Sequence, residues 1–437
     1  MLPVTTTWQN WAGTERSHPS LELAPERAEG IVDAIRLARE TGTVVKPIGA
    51  SHSFTAIGAT EGIRISLAGL RGLQSADLAR SRVTLWAGTH LHELPGILTP
   101  LGLALENMGD IDRQTIAGAT STGTHGTGLA FGGLATRITG VTLVDGTGTL
   151  RTIDEDHDPE LLPAVALGLG ALGVLVTVTI QCVPRFLINA VEAPAPLDEV
   201  LDEWQERSEA ADHFEFFWFP HTRGTRTKTN TRLPLESGRR PLGTASRFLD
   251  EEVVNNVLLG AVVGVQSLAP RITPAMNRLI ENVSSRRSFT DESYRVFVTR
   301  RRVKFREMEY SVPFEAVPDV VRELRTMIER RDHRVSFPVE VRAAAADQLL
   351  LSTASGRRSG YVAVHRFIGD RDTDYFRDAE AILAAHDGRP HWGKMHTLDA
   401  EQLAARYPGF EKFREVRDRL DPHRVFRNAY LERVLGE

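Results

Sequence analysis

The pattern of apolar and polar positions changes character once along the chain. In the first part, Ile31, Ala34, Ile35 and Ala38 recur at helical spacing and Gly42 follows them, so a helix is predicted over 25–41 and a strand over 43–48. Short strands are predicted at 63–67 and 83–87, then a short helix at 90–98. Residues 138–144 and 149–153 flank Asp145-Gly146 and predict a β-hairpin. A helical stretch at 161–168 leads into a β-branched run at 174–180, and the first domain is expected to close near Pro184. Beyond Phe186 the texture is aromatic and alternating. Segments 214–219, 296–298 and 305–310 read as strands of a largely antiparallel sheet, covered on one face by helices at 316–330 and 373–386. The tail, 413–428, joins a charged helix to a loop containing Asp421-Pro422-His423.

A chain of 437 residues is long enough for two or three domains, and 41% apolar with 25% charged residues places it among globular proteins. A net charge of -5 gives no electrostatic footprint for nucleic acid, and the run Arg300-Arg301-Arg302 reads as a solvated strand end. The one cysteine, Cys182, excludes an intrachain disulfide and a cysteine zinc cage, which fits a reducing, cytoplasmic setting. The start MLPVTTTWQNWAGTERS has no basic region followed by an apolar one, so no secretory signal is expected. No transmembrane segment is expected either. The stretch 253–269 is shorter than the roughly 20 apolar residues of a span and carries Asn255 and Asn256. It reads as a helix of the second domain, with surface attachment to a membrane as the alternative.

Gly168-Leu169-Gly170-Ala171-Leu172-Gly173 matches the spelling of a dinucleotide fingerprint. That fingerprint follows a strand and opens a helix, whereas here a helix precedes and a strand follows, so the mechanics of nicotinamide binding are missing. A helix-to-strand turn, or a close backbone approach to another planar ligand, remains open. The stretch TIAGATSTGTHGTG, 115–128, is almost wholly Gly, Ala, Ser and Thr, which suits a backbone nest for a diphosphate; without a lysine beside the glycines it is no P-loop. PIGASHSF, 47–54, repeats the theme after a strand. No HxxxH or HxxE pairing supports a metal. Further on, Glu340 and Arg342 stand two apart and share one face of a strand, His365 lies on another strand, and Arg389-Pro390-His391-Trp392-Gly393-Lys394 places a lysine beside an aromatic.

Taken in order, PIGASHSF, the run Leu105 to Asp110 leading into AGATSTGTHGTG, GLGALGVLVTVTI, VEVR, HWGK and DPHRVFRNAYL resemble the aldonolactone oxidase and alditol oxidase group of the vanillyl-alcohol-oxidase flavoprotein superfamily. The likeness covers nearly the whole chain and is strongest to the gulonolactone dehydrogenase and oxidase branch. It implies an α+β fold: an FAD-binding domain over 1–185, an antiparallel-sheet cap over 186–400, and a segment over 401–437 returning to the first domain. It also implies FAD carried covalently by His52 through the flavin 8α-methyl. The further cofactor contacts it implies are Gly49, Ala50, Ser51, Ser53, Gly109, Asp110, Gly118, Thr122, Gly123, His125, Gly126, Gly173, Val174 and Asn428. Glu340, Arg342, Lys394 and His365 match active-site positions of the group, and Asp110, Phe367 and His391 match its substrate pocket.

Oxidising a secondary alcohol needs a hydride sent to flavin N5, a proton removed, and positive charge near the developing alkoxide; Arg342 and Lys394 supply that charge. Alditol oxidases carry serine at the Asp110 position and threonine at the Phe367 position. The expected substrate is therefore a sugar 1,4-lactone (L-gulono-, L-galactono- or D-arabinono-), oxidised at C2, rather than a linear polyol. The alternatives are an alditol or other carbohydrate oxidase and a flavin-holding protein without catalysis. By the resemblance Gly109 leaves a path to the flavin, so O2 is expected as acceptor beside any other electron carrier.

Overall fold

The structure is a computed structural model and describes residues 7–243, 259–283, 285–299, 301–370 and 374–437. Strand β1 (Leu21–Leu23), helix α1 (Ala28–Thr41), β2 (Val45–Ile48) and β3 (Ile63–Ser66) open the chain, and the three strands form a parallel sheet with β3 in the middle. Helix α1 buries Ile31, Ala34, Ile35 and Ala38 as its spacing predicts, and it stops at Gly42, which takes φ 69° and donates its N–H to Ala38. A second sheet contains β4 (Leu73–Asp77), β5 (Arg82–Trp86), β6 (Ile138–Val144), β7 (Leu150–Asp154) and β8 (Val174–Gln181), in the order β7-β6-β8-β5-β4. The expected hairpin is β6 and β7, with Val144 opposite Leu150. Asp145 shapes its turn by accepting the N–H groups of Thr147 and Thr149. Strand β4 escapes the hydrophobic pattern because every one of its residues is exposed. Helix α2 (Ile116–Thr122) lies inside the Gly/Thr stretch that reads as loop; the Thr115 hydroxyl starts it by accepting the Gly118 N–H at 3.1 Å.

From Leu187 onward the strands belong to one eight-stranded sheet. They are β9 (Leu187–Pro196), β10 (His213–Trp218), β11 (Gly224–Leu233), β12 (Arg287–Glu292), β13 (Phe305–Pro313), β14 (Val339–Ala344), β15 (Ser359–Phe367) and β16 (Arg389–Pro390). Their order across the sheet is β12-β9-β11-β10-β14-β15-β13-β16, with antiparallel pairing throughout. Helices α3 (Val317–Arg330) and α4 (Asp374–Ala385) supply the cover that the alternation asks for, α3 through fully buried Val317, Val320, Val321, Leu324 and Ile328. One expected strand is corrected. Val296 belongs to a helical turn, Ser293–Phe297, in which Val296 and Phe297 are both buried, and a three-residue apolar run carries too little periodicity to tell strand from helix. Residues 253–258, Arg300 and Thr373 lie outside the described residues. The rest of the 253–269 stretch is helical at Leu259–Leu268, and among the described residues no helix is long and apolar enough to cross a membrane.

The C-terminal segment returns to the first two sheets. After helix α5 (Phe410–Leu420), Val45 donates its N–H to the Val425 carbonyl at 2.8 Å, and Gly146 donates to Leu420 at 2.8 Å. Asp421, 1% exposed, accepts the buried N–H groups of Val425 and Phe426 at 2.8 and 3.0 Å. The neighbouring Lys46 ammonium donates to the Phe426 and Gly170 carbonyls, joining tail, β2 and the 168–173 turn. Asp421→Ala leaves two buried N–H donors without an acceptor, so about 3 kcal/mol of stability is expected to go. A denaturant titration showing less than about 1 kcal/mol of loss would contradict this account of the tail.

Candidate active site

Two clefts meet between the sheets. The first, about 700 Å³, is walled by the 47–53 loop, by Ala117, Gly118, Ser121 and Thr122 of α2, and by Leu169, Gly170 and Gly173. Small side chains are needed here for packing as well as for access. A Cβ on Gly49 would lie 2.2 Å from the Thr115 hydroxyl, so the loop rests directly against the start of α2. The 168–173 stretch is the helix-to-strand turn its order suggests, with Leu169 and Gly170 at φ 56° and 62°, and it lines the cleft as well.

The second cleft, about 740 Å³, shares Ser53 and Thr122 with the first. His52, Gly109, Asp110, His125, Glu340, Arg342, His365, His391 and Lys394 all line it, although they come from loops and strands of both halves of the chain. On β14, Arg342 Nη2 lies 2.5 Å from Glu340 as the two-residue spacing predicts. Its Nε donates to Glu215 on β10 at 2.8 Å. Burial disfavours the Arg342 charge, but Glu340, Glu215 and Asp110 outweigh it and hold the guanidinium charged. Asp110 is tied to Arg301 at 2.6 Å. Against burial, Arg301, Arg342 and Lys394 pull its carboxyl down to about 2. Glu340 moves the other way: burial raises it, Asp110 and Glu215 add to that, and Arg342 and Arg301 only partly compensate.

Lys394 donates to Glu307 on β13, and His365 Nε2 stands 3.4 Å from the same carboxylate. Burial opposes the Lys394 charge, yet Glu307 and Glu309 raise its pKa above the ordinary lysine value. Glu307 is itself held far below the carboxylate range, against burial, by Lys394 and His365. His125 stacks on Tyr361 with ring centroids 3.5 Å apart. Its Nδ1 faces the Gly126 carbonyl at 2.9 Å and must donate to it, and its Nε2 stands 3.3 Å from Glu309. His391 accepts the Gly393 N–H at Nδ1, and burial lowers its pKa to about 4, so the ring is neutral. His125, Glu309 and His391 bring ligand-type atoms within 4.8 Å of one another, with Nδ1 of each histidine engaged by the backbone of Gly126 and Gly393.

Several residues implied by the resemblance lie elsewhere. Asn428 is outside both clefts: its Nδ2 donates to the Ala56, Ile57 and Ala59 carbonyls, and its Oδ1 caps the last helix at the Leu431 N–H. Phe367 packs in a small apolar cluster with Phe54 and Phe305 rather than lining the second cleft. Ala50 and Val174 are not in either lining. Gly123 ends α2 at φ 84°, and Gly126 has its α-carbon pressed against Asn107, where a Cβ would meet Oδ1 at 2.4 Å. Three charged residues of the pocket are new, Arg301, Glu307 and Glu309, and Glu215 backs Arg342 from outside its lining. Arg301 reads as solvated in sequence but is an inner partner of Asp110 and lies 3.5 Å from Glu340. Glu307 and Glu309 carry a usable signal, two acids two apart and so on one face of a strand, which is the same logic that singles out Glu340 and Arg342.

A family profile described as D-arabinono-1,4-lactone oxidase matches residues 178–434, and one described as FAD binding domain matches residues 19–154. The chain is 39% identical to an L-gulono-1,4-lactone dehydrogenase of Mycobacterium tuberculosis over 98% of its own length and 99% of the relative's. It is 31% identical to an L-gulonolactone oxidase of Bos taurus, with 98% of both chains covered. Among solved structures it is similar to cholesterol oxidase from B. sterolicum, with a TM-score of 0.81, 17% identity, and 98% and 96% of the two chains covered.

Proposed function

The chain belongs to the D-arabinono-1,4-lactone oxidase family and is an FAD-dependent oxidoreductase, and on that footing we propose that it oxidises the C2 hydroxyl of a sugar 1,4-lactone. The residues present fit FAD. Two connected clefts, one lined by small residues and backbone, the other by charge, offer an elongated path, and the His52 ring sits in the charged one. When bound, the flavin supplies the two-electron acceptor.

The observation that carries the reading is the convergence of Arg342 and Lys394, both held charged, on the cleft that His52 lines. Two fixed cations in a buried pocket stabilise the negative charge that grows on the substrate oxygen as its proton leaves. Glu340 is placed to take that proton, because Asp110, Glu215, Glu307 and Glu309 are each held below the ordinary carboxylate value by their neighbours, whereas burial raises Glu340 above it. The lactone preference rests on Asp110, which Arg301 fixes in place of the serine of polyol oxidases. Covalent attachment through His52 rests on an imidazole that burial, then Lys394, Arg113 and His90, lower to about 4, so a ring nitrogen lone pair is free at neutral pH.

Anaerobic mixing with gulono-, galactono- or arabinono-1,4-lactone is expected to bleach the bound flavin at least tenfold faster than xylitol or sorbitol does. Bleaching by the polyols alone would turn the assignment to an alditol oxidase. No bleaching by any of them would leave a flavin-holding protein. Gly109 lines the same cleft, and a Cβ there would press on the His125 carbonyl at 3.0 Å. Reoxidation by O2 is therefore expected in the parent and is expected to slow in Gly109→Ala, measured by stopped flow.

A further inference from the structure

Trp8, Asn10 and Trp11, near the start of the chain, have no role in the reaction above, yet they hold the loop around His52, and Trp11 also lines the reaction cleft. Trp8 Nε1 donates to the Ser51 hydroxyl at 2.9 Å, and the Trp11 N–H donates to the Ser51 carbonyl at 2.8 Å. Asn10 Nδ2 donates to the Ser53 carbonyl at 3.0 Å. The residues on both sides of His52 are thus tied down, and Ser51 is kept at φ 57°, a left-handed conformation that a serine rarely adopts. The Trp11 ring lies over the His52 ring, centroids 5.5 Å apart and planes 20° apart. Trp11 is in turn fixed edge-on by Phe54, at 6.2 Å and 82°, and by Phe305 of β13, at 5.5 Å and 67°. Backbone and ring of one histidine are therefore set by a segment remote in sequence, and that histidine faces the reaction cleft.

We propose that Trp8, Asn10 and Trp11 form a positioning clamp for flavin attachment, orienting the His52 ring toward the 8α-carbon. The inference rests on the attachment through His52 proposed above. In that step a ring nitrogen lone pair forms the N–C bond to the 8α-carbon, and that carbon loses one hydrogen as a proton. The electron pair of the broken C–H bond reduces the flavin. The imidazole sheds its own N–H proton, and the dioxygen or other acceptor that ends each turnover removes the two electrons. Fixing the ring matters because the reacting atoms must meet in one orientation, and a misplacement of about 1 Å costs a large factor in rate.

The test follows attachment with time. Parent, Trp11→Ala, Trp11→Phe, Trp8→Phe and His52→Ala proteins from riboflavin-limited cells are supplied with FAD. Acid-stable flavin on the polypeptide, total bound flavin and the melting temperature are read for each. Trp11→Ala is expected to bind FAD yet attach it on the order of tenfold more slowly, with Trp11→Phe recovering most of the rate because a ring is kept. Trp8→Phe, which removes one N–H, is expected to slow attachment less, and His52→Ala to attach none. Attachment by Trp11→Ala at the parent rate, or falling only in proportion to bound FAD, overturns the clamp. Should Trp11→Ala fail to fold, Trp8→Phe decides, and attachment by Trp8→Phe at the parent rate overturns the clamp. A parent protein that releases all its flavin in acid overturns the attachment itself, which is a different result from either.

Discussion

Lys394→Met is expected to lower kcat for the lactone about a thousandfold while leaving bound flavin near that of the parent, and to lower the melting temperature because buried Glu307 loses its ion-pair partner. The Lys394 ammonium is the counter-ion of Glu307 and lies 5.3 Å over the Phe54 ring, on the wall of the reaction cleft. Removing it takes one of two fixed cations from the place where an oxyanion develops. It also leaves Glu307 without its ammonium partner, with only the His365 ring close by at 3.4 Å, so the Glu307 carboxyl moves up toward its ordinary range. Both changes act on the charge-separated state more than on the bound lactone, so the effect belongs in kcat and KM is expected to change little. Arg342→Lys tests the partner. It keeps a charge but cannot hold Glu340 and Glu215 at once, as the guanidinium does, and a loss of about a hundredfold is expected. Steady-state kinetics in which Lys394→Met keeps a tenth or more of the parent kcat would remove this lysine from the chemistry.

A steep loss of stability between about pH 6.5 and pH 4 is the second large effect expected. His213 and His391 are lowered to about 4 and His396 to about 3, each chiefly by burial. Each ring is also placed by a hydrogen bond suited to its neutral form or by a polar neighbour: His213 donates to the Thr127 carbonyl at 2.7 Å, and His396 meets the Tyr430 hydroxyl at 3.0 Å. In the unfolded chain these rings take up protons near pH 6.5. Between that value and their folded pKa the unfolded state binds more protons, so stability is complete above about 6.5 and falls as the pH drops. Each proton contributes roughly 1.4 kcal/mol per pH unit, and three of them over about two units reach a large part of a typical domain stability. The depressed acids Asp110 and Glu309, held at about 2, add their share only below about pH 4. The acid unfolding midpoint, read by circular dichroism, is therefore expected near pH 5. A midpoint below 4 would show that these histidines are not the groups that set it.

How much of this was legible in sequence depends on the range of the interaction. Helix α1 and the β6–β7 hairpin follow from spacing within a dozen residues, because an amphipathic period or a two-residue turn is a local property. The 168–173 stretch is read correctly as a helix-to-strand turn, since helix-before-strand order is visible in the chain. The exposed strand β4 and the helix α2 of small residues are not legible, because neither has an apolar stripe to detect. The same division runs through the site. Glu340 and Arg342 are joined by strand periodicity, which any reader of the sequence can apply. Asn428 matches its motif but spends its side chain on the tail's own anchorage, and only the fold shows where its hydrogen bonds go.

By itself, then, the sequence determined the small-residue loops, the order of the charged motifs and the alternation that makes one large antiparallel sheet, since these depend on neighbours in the chain. The tertiary structure decided which charges matter. Arg301 looks like a solvated strand end until Asp110, far back in the chain, comes within 2.6 Å of it. Trp11 stands in no motif of the sequence, and its part shows only where its ring lies against His52. A lone charge or ring has the same local signature in water as in a pocket, and burial beside a partner from a distant element is what gives it a function.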